Sequence, residues 1–114
     1  MNNKQIKIYE TIEGKKPFTS WLESIKDVRT KRRINARLDR LESGNFSDYR
    51  SVGNEVFELK LDFGAGYRIY YGEISNIIVL LLLGGDKSTQ DRDINKAKIY
   101  FKNYMEYLDN EKNK

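Results

Sequence analysis

The sequence predicts an α+β fold, in which a small, mainly antiparallel sheet packs against helices in the order β-α-α-β-β-β-α. One observation is that the hydrophobic period changes from helical to alternating near residue 56. The other is the apolar run 77–83, which is too short to cross a bilayer and is apolar on both faces, as in a covered central strand. A chain of 114 residues supports one hydrophobic core, so we expect a single domain over residues 1–114 with a frayed tail from about 110 to 114.

The N-terminal half predicts one strand and two helices. Ile6 and Ile8 alternate with Lys7 and Tyr9, which is typical of an opening strand. Pro17 suits the first turn of a helix, along which apolar residues recur at helical spacing: Phe18, Trp21, Leu22 and Ile25. A second helix is predicted from about Asp27 to Glu42, ended by Ser43, Gly44 and Asn45.

The C-terminal half predicts a polar loop over 46–54, three strands and a helix over about 89–109. In the first strand, one face carries Phe57, Leu59, Leu61 and Phe63, and the other carries Glu58, Lys60 and Asp62. A turn at 64–66 leads to a partner strand, on which Arg68 and Tyr70 share a face. Ser88 followed by Asp91 resembles a capping box for the last helix. We expect a core that includes Trp21, Leu38, Leu59, Val79, Leu81 and Phe101.

The composition excludes several kinds of chemistry. The chain has no cysteine and no histidine, so it has no disulfide, no thiolate chemistry, no imidazole acid–base catalysis and no histidine-ligated metal. We therefore expect neither a cofactor nor a metal. The first ten residues lack the apolar region of a signal peptide, so a cytoplasmic location without membrane contact is expected.

The positive charge is concentrated in one segment. The formal net charge is +4, whereas residues 26–40 hold seven basic and two acidic side chains, a local charge of +5. At helical spacing, a basic stripe is formed by Arg29, Arg33, Arg37 and Arg40. Such a stripe on a nearly neutral body favours a polyanionic partner such as RNA, and a solvated helix face is the alternative.

A second basic position, Lys87, follows Gly84 and Gly85 at the end of the apolar run. The nucleotide-binding pattern G-x-x-x-x-G-K-S/T is excluded, because the positions that require glycine hold Leu81 and Asp86. A lysine beside a helix N-terminus is nevertheless a plausible seat for a phosphate. In the alternative, the glycines only turn the chain and Lys87 is solvated.

Four longer segments together resemble a known family. They are KPFTSWLESI, RRINARLDRLESGNFSDYRSVG, VFELKLDFGAGYRIYY and VLLLLGGDKSTQDRDINKA. They look like the RelE/ParE toxin superfamily, and most of all its HigB-like addiction module killer branch, which is similar to phage Gp49-like proteins. The resemblance extends from about Ile6 to Tyr104.

The resemblance implies a RelE-like fold and a toxin of a type II toxin–antitoxin system. It implies a helix-turn-helix, HigA-like antitoxin encoded beside it, with operator DNA reached only through that antitoxin. RelE-like members cleave mRNA on the ribosome without a metal. Their basic sheet positions fall on Lys60 and Arg68, and their cation after the last strand falls on Lys87. Glu58 stands where RelE has a lysine, and the tyrosine of its last helix has no counterpart near Asp93 and Ile94.

These residues define a hypothesis for RNA cleavage by attack of the 2′-OH on the adjacent phosphate. Arg68 would stabilise the charged transition state and Lys87 would hold the phosphate. The proton acceptor would be Glu58 or Lys60, and Tyr70 would stack on a base or relay a proton. The basic stripe would dock on ribosomal RNA. The alternatives are a ParE-like gyrase poison and a non-catalytic phage or regulatory binding module.

Overall fold

The structure is a computed structural model, and it describes residues 3–113. Across these residues five strands form one sheet in the order β1-β5-β4-β3-β2, in which β1 is parallel to β5 and all other neighbours are antiparallel. The elements are β1 (Gln5–Ile8), α1 (Pro17–Ser24), α2 (Val28–Glu42), β2 (Tyr49–Gly53), β3 (Val56–Lys60), β4 (Arg68–Ile74), β5 (Ile78–Gly85) and α3 (Gln90–Lys112). The predicted α+β class is confirmed.

The sheet is covered on both faces, and each face has its own hydrophobic core. Helices α1 and α2 cover one face, where the buried core includes Phe18, Ile34, Leu59, Val79 and Leu81. Helix α3 covers the other face with Ala97 and Phe101, against Val56, Tyr70, Leu80 and Leu82 of the sheet. Four of the six predicted core residues are therefore buried, while Trp21 and Leu38 are half-buried at the edge of the first core.

Local sequence sets the ends of α1 and α2 as predicted. Pro17 occupies the first turn of α1. Asp27 caps α2, because its carboxylate accepts a 3.1 Å hydrogen bond from the Arg29 amide and a 3.0 Å bond from the Thr30 hydroxyl. Gly44 follows α2 with a φ of +89°, which favours glycine.

The region predicted as a polar loop, 46–54, contains strand β2. It joins β3 through Asn54 and Glu55, whose φ angles of 57° and 64° fit a two-residue hairpin turn. Four of the five β2 residues are exposed because β2 is an edge strand, so no alternation of apolar residues marks it. Strand β3 ends at Lys60, earlier than the alternating pattern indicated, and residues 61–67 form the connection to β4.

Gly84 and Gly85 lie inside β5, so the expectation that they only turn the chain is wrong. A Cβ on Gly84 would come within 2.1 Å of the Trp21 ring, and one on Gly85 within 1.9 Å of Asp93 Oδ2. The absence of side chains lets α1 and α3 approach the end of the strand from opposite faces. A register shift between Tyr70 and Tyr71 places Gly85 opposite Arg68. As a result, Gly84 faces α1 and Gly85 faces α3.

Helix α3 begins differently from the prediction. Asp86, and not Ser88 with Asp91, forms the capping box: its carboxylate accepts a 2.8 Å hydrogen bond from the Ser88 amide, and Thr89 Oγ1 accepts from the Asp86 amide at 3.3 Å. A short 3-10 turn, Lys87–Thr89, then leads into α3. The helix continues to Lys112, beyond the predicted end near residue 109, and position 114 of the predicted frayed tail lies outside the described residues.

Candidate functional site

Strand pairing brings the predicted polar residues of the sheet together on the face that α3 covers. Glu58 of β3 lies opposite Tyr70 of β4 and opposite Arg50 of β2. Lys60 lies opposite Arg68 in the next row. The first turn of α3 begins over these two rows, so the cations and the carboxylate line one pocket rather than a flat solvated sheet.

Glu58 is the centre of this arrangement. Its residue is 3% exposed, and its carboxylate accepts hydrogen bonds from Arg50 Nε at 2.8 Å, Tyr70 Oη at 3.0 Å and Gln90 Nε2 at 2.8 Å. These donors come from β2, β4 and α3, so one side chain ties three elements together. The Glu58 carboxylate therefore fixes the side chains of Arg50, Tyr70 and Gln90 relative to one another.

The same contacts fix the ionisation of Glu58. Burial would raise the pKa of its carboxyl, but the hydrogen bonds from Arg50, Gln90 and Tyr70 together outweigh burial, and the pKa lies below its ordinary value. Burial and the negative charge of Glu58 raise the pKa of Tyr70 far above its ordinary value. The pair is therefore a carboxylate and a neutral phenol at physiological pH.

Arg68 is held beside Glu58 with its guanidinium almost fully enclosed. The residue is 7% exposed, Nη1 donates a 2.5 Å hydrogen bond to the Gly66 carbonyl, and Nε lies 3.7 Å from Glu58 Oε2. Within residues 3–113 that buried Nε makes no hydrogen bond. A preorganised cation with spare donor capacity is suited to an anionic group that enters the pocket.

We call this space the β3–α3 pocket. It encloses about 290 Å³ and is lined by Asp48, Tyr49, Arg50, Glu58, Lys60, Arg68 and Gln90. The side chains of Arg50 and Lys60 are exposed at its rim, whereas Arg68 lies inside. Three cations against two carboxylates leave the pocket with a net positive charge, and its volume admits a phosphate with part of a nucleotide.

Lys87 stands next to the β3–α3 pocket, on the turn that precedes α3. Its amide lies 3.4 Å from the Ala65 carbonyl, and a Cβ on Gly66 would lie 3.3 Å from Arg68 Nη1 and 3.4 Å from Lys87 Cβ. Gly66 therefore lets the turn that carries Lys87 approach the Arg68 guanidinium closely. A second recess of about 360 Å³ runs from Lys87 to Arg92 and shares Gln90 with the β3–α3 pocket.

Two of the predicted roles at this site need correction. Tyr70 is 0% exposed, so the stacking on an RNA base that the sequence suggested is wrong for this structure. The carboxylate oxygens of Glu58 are already occupied by three donors, so a positioning role fits better than the role of a free proton acceptor. Asp93, near the position of the missing tyrosine, is buried and accepts a 2.5 Å hydrogen bond from Thr89 Oγ1.

Sequence reasoning missed Arg50 and Gln90. Arg50 lay in the segment interpreted as a loop, and only the pairing of β2 with β3 places it opposite Glu58. Gln90 lies in the motif GGDKSTQ, in which only Lys87 was predicted to have a role at the site. No local sequence pattern marks either residue, because β2 is an exposed edge strand and Gln90 reaches Glu58 only through the packing of α3 on the sheet.

The basic stripe of α2 lies on the opposite face of the sheet, away from the β3–α3 pocket. Arg29, Arg33 and Arg40 are exposed, as predicted. Arg37 is 9% exposed and donates from Nη2 to the Ser47 carbonyl. Arg37 therefore supports the segment before β2, which the stripe interpretation did not anticipate.

Fold and site together define a small α+β protein with an open cationic pocket where its last helix begins. Among residues 3–113 no helix is long and apolar enough to cross a membrane. No family model matches the chain. It is 52% identical over 82 residues to an uncharacterized protein of Haemophilus influenzae strain Rd, an alignment that covers 72% of this chain and 83% of the relative. The chain belongs to the same family as that protein.

Proposed function

We propose that this protein is a toxin of the RelE/ParE superfamily that cleaves mRNA on the ribosome. The observation that carries the proposal is Arg68, a buried guanidinium held by Gly66 and Glu58 at the wall of the β3–α3 pocket. The sequence motifs that resemble the HigB-like branch include this residue, Lys60 and Lys87. The α+β fold is compatible with the RelE-like fold that the resemblance implies.

In the proposed reaction, the RNA 2′-OH attacks the adjacent phosphate and the 5′-oxygen leaves, which gives a 2′,3′-cyclic phosphate and a free 5′-OH. Arg68 meets the charge that develops on the phosphate oxygens, because its planar fork matches their geometry. Lys87, on the turn that precedes α3, supplies a second positive charge that helps to neutralise the dianionic transition state. Glu58, Tyr70 and Gln90 keep the Arg68 guanidinium in place.

The proton transfers fall on the exposed groups of the pocket rim. With Glu58 committed to three donors, Lys60 remains as the proton acceptor of the hypothesis, and its side chain is exposed beside Asp62 at 3.8 Å. In this scheme the neutral amine of Lys60 takes the proton of the 2′-OH, and the ammonium that results gives a proton to the leaving 5′-oxygen. Since the chain has no histidine, much of the rate must come from orientation of the RNA. A ribosome that presents mRNA in a fixed geometry would supply that orientation.

A non-nuclease toxin, such as a ParE-like gyrase poison, is the second candidate, and a non-catalytic binding module of a phage or regulatory complex is the third. The hydrogen-bonded carboxylate of Glu58 and the buried Tyr70 favour these two alternatives, because the nuclease hypothesis assigned proton transfer to both groups. In either case the cationic pocket would bind an acidic segment of a protein.

Primer extension on cellular mRNA after a short pulse of expression separates these candidates. The nuclease proposal expects new 5′ ends within coding regions within minutes, and loss of these ends with Lys87→Ala. A matched control is Lys102→Ala, since Lys102 is an exposed lysine of α3 away from the pocket. Growth arrest with intact mRNA and trapped gyrase–DNA complexes would overturn the nuclease proposal in favour of the gyrase poison.

The proposed partners are a helix-turn-helix antitoxin and the ribosome with its mRNA. Co-expression with the neighbouring gene product should restore growth and give a stable complex that is recovered by affinity purification. A chain that arrests growth equally with and without that product would contradict the toxin–antitoxin assignment.

A further inference from the structure

Another cationic recess, distinct from the one that runs from Lys87 to Arg92, lies on the face of the sheet opposite the β3–α3 pocket. It encloses about 280 Å³ between α2 and the connection from β3 to β4. Its polar and aromatic lining consists of Arg33, Arg37, Arg40, Asp48, Asp62 and Phe63. We call it the α2 recess.

Arg37 forms the floor of the α2 recess and is the strongest sign that an anion belongs there. Its Nη2 donates to the Ser47 carbonyl, but its buried Nε makes no hydrogen bond to any residue in the described range. Burial, and then the nearby charge of Arg40, lower the pKa of Arg37. A desolvated guanidinium crowded by a second cation is stabilised by an anion that supplies both charge and acceptor atoms.

Arg33 and Phe63 line one side of the α2 recess. The guanidinium carbon of Arg33 lies 4.2 Å from the centroid of the Phe63 ring, a cation–π contact that holds the Arg33 side chain in place. Arg33 is exposed, which leaves its guanidinium accessible. Unpaired bases stack on arginine planes of this kind, whereas the side chains of an acidic peptide do not.

The charges of the α2 recess also favour a phosphate. The three arginines are spaced four and three residues apart on α2, so they share one helix face. Two carboxylates oppose them, and Asp62 is itself within 3.8 Å of Lys60. The recess is therefore net positive, and it lies within the helix segment that carries most of the excess charge of the chain.

We propose that the α2 recess binds one phosphate of single-stranded RNA, with the neighbouring base stacked on Arg33. This inference rests on the proposed function only in that the partner is RNA, and it does not require cleavage. It is narrower than a docking role for the whole basic stripe, because Arg29 does not line the recess. The RNA would contact the protein on both faces of the sheet, with Asp48 at the rim shared by the two cavities.

The test is fluorescence anisotropy with a labelled single-stranded RNA, titrated at several salt concentrations. The variant Arg33→Gln with Arg40→Gln removes two charges from the recess and leaves the buried Arg37 in place. The matched control, Lys26→Gln with Arg32→Gln, removes two exposed charges that do not line it. We expect the recess variant to weaken binding by roughly tenfold or more and to lower the salt slope by about 0.7, as for one lost phosphate contact on a single strand. The control variant should retain most of the affinity for RNA and most of its salt dependence.

Equal losses in the two variants would show a diffuse field and overturn the proposal, as would unchanged binding or no RNA binding by the unmodified protein. Tighter binding of an acidic peptide than of RNA would assign the recess to a protein partner instead. An oligonucleotide of the same sequence with an uncharged backbone should bind weakly if Arg37 binds the phosphate. Loss of mRNA cleavage in Lys87→Ala with intact RNA binding would separate failure of the catalytic pocket from failure of the recess.

Discussion

Tyr70 and Glu58 face each other across strands β4 and β3, and the Tyr70 hydroxyl donates a 3.0 Å hydrogen bond to Glu58 Oε2. Both side chains are buried beneath the start of α3. Because Glu58 also contacts Arg50, Gln90 and Arg68, this pair links the hydrophobic core under α3 to the cations of the β3–α3 pocket. The stability of the core and the geometry of the pocket are therefore coupled through one carboxylate.

Tyr70→Phe should lower the free energy of unfolding by about 1.5–3 kcal/mol, because it removes a buried donor from an ionised acceptor. The measurement is urea denaturation at pH 7. The neighbouring Tyr71→Phe is the control. Tyr71 is equally buried, but its hydroxyl makes no hydrogen bond within the described chain, so its loss should be neutral or stabilising. Equal effects of the two substitutions would contradict the assigned hydrogen bond.

Glu58 should make the protein acid-sensitive in a specific window. Its folded-state pKa is lowered, so the folded protein binds fewer protons than the unfolded chain between the two pKa values. The stabilisation is complete above the unfolded pKa of about 4.3 and is lost as the pH falls through the lower folded pKa. The difference in unfolding free energy between the unmodified protein and Glu58→Gln should therefore shrink as the pH falls from 6 towards 3.

Denaturant titrations at a series of pH values measure that difference directly. Hydrogen bonds from Ser88 also lower the pKa of Asp86, so Asp86→Asn serves as the control for a second acid-sensitive carboxylate. A difference between the unmodified protein and Glu58→Gln that stays constant across the series would show that Glu58 is not held ionised by its neighbours.

The alternating strand pattern and the bounds of α2 were predictable, because they depend on residues close together in the sequence. Phe57, Leu59 and Ile69 face the first core as the period of two requires, and Asp27 caps α2. Strand β2 was not predictable in the same way. Its side chains are polar and mostly exposed, and it is a strand because β3 offers it a free edge.

The chemistry of the candidate site was only partly predictable. Lys60, Arg68 and Lys87 were identified from motifs, and the structure brings them around Gly66 and the β3–α3 pocket. The burial of Tyr70 and the occupied oxygens of Glu58 depend on where α3 crosses the sheet. The register shift between β4 and β5 and the hydrogen bond from Gln90 to Glu58 both lie at that crossing, and neither leaves a local sequence pattern.

Gly85→Ala should destabilise the protein by about 1–3 kcal/mol, because the new methyl group would overlap Asp93 Oδ2. Asp93→Ala should relieve part of that overlap. Denaturation of the two single variants and the double variant tests this, and the double variant should be more stable than the sum of the single losses predicts, by about 0.5–3 kcal/mol. Additive losses would contradict the close approach of α3 to the end of β5.

Substitutions of the cationic residues differ in whether they disturb the fold as well as the pocket. Arg68 and Arg37 are both buried and hydrogen-bonded, so we expect Arg68→Ala and an Arg37→Glu reversal to destabilise the fold. Arg68→Lys is the informative change, because it keeps the charge and removes the planar fork. It should reduce cleavage far more than it reduces stability.

The most direct test of the central claim is cleavage of a defined mRNA on purified, programmed ribosomes, with the cut sites and rates measured for the unmodified protein and its variants. The account predicts a cut within the ribosome-bound codon. It also predicts a rate loss of about 10²–10³ for Lys87→Ala, which removes one of the charges that stabilise the transition state. The control Lys102→Ala should cut at the rate of the unmodified protein. An unmodified protein that leaves the mRNA intact, or a Lys87→Ala variant that cuts at the full rate, would contradict the assignment of the β3–α3 pocket as an RNA-cleaving site.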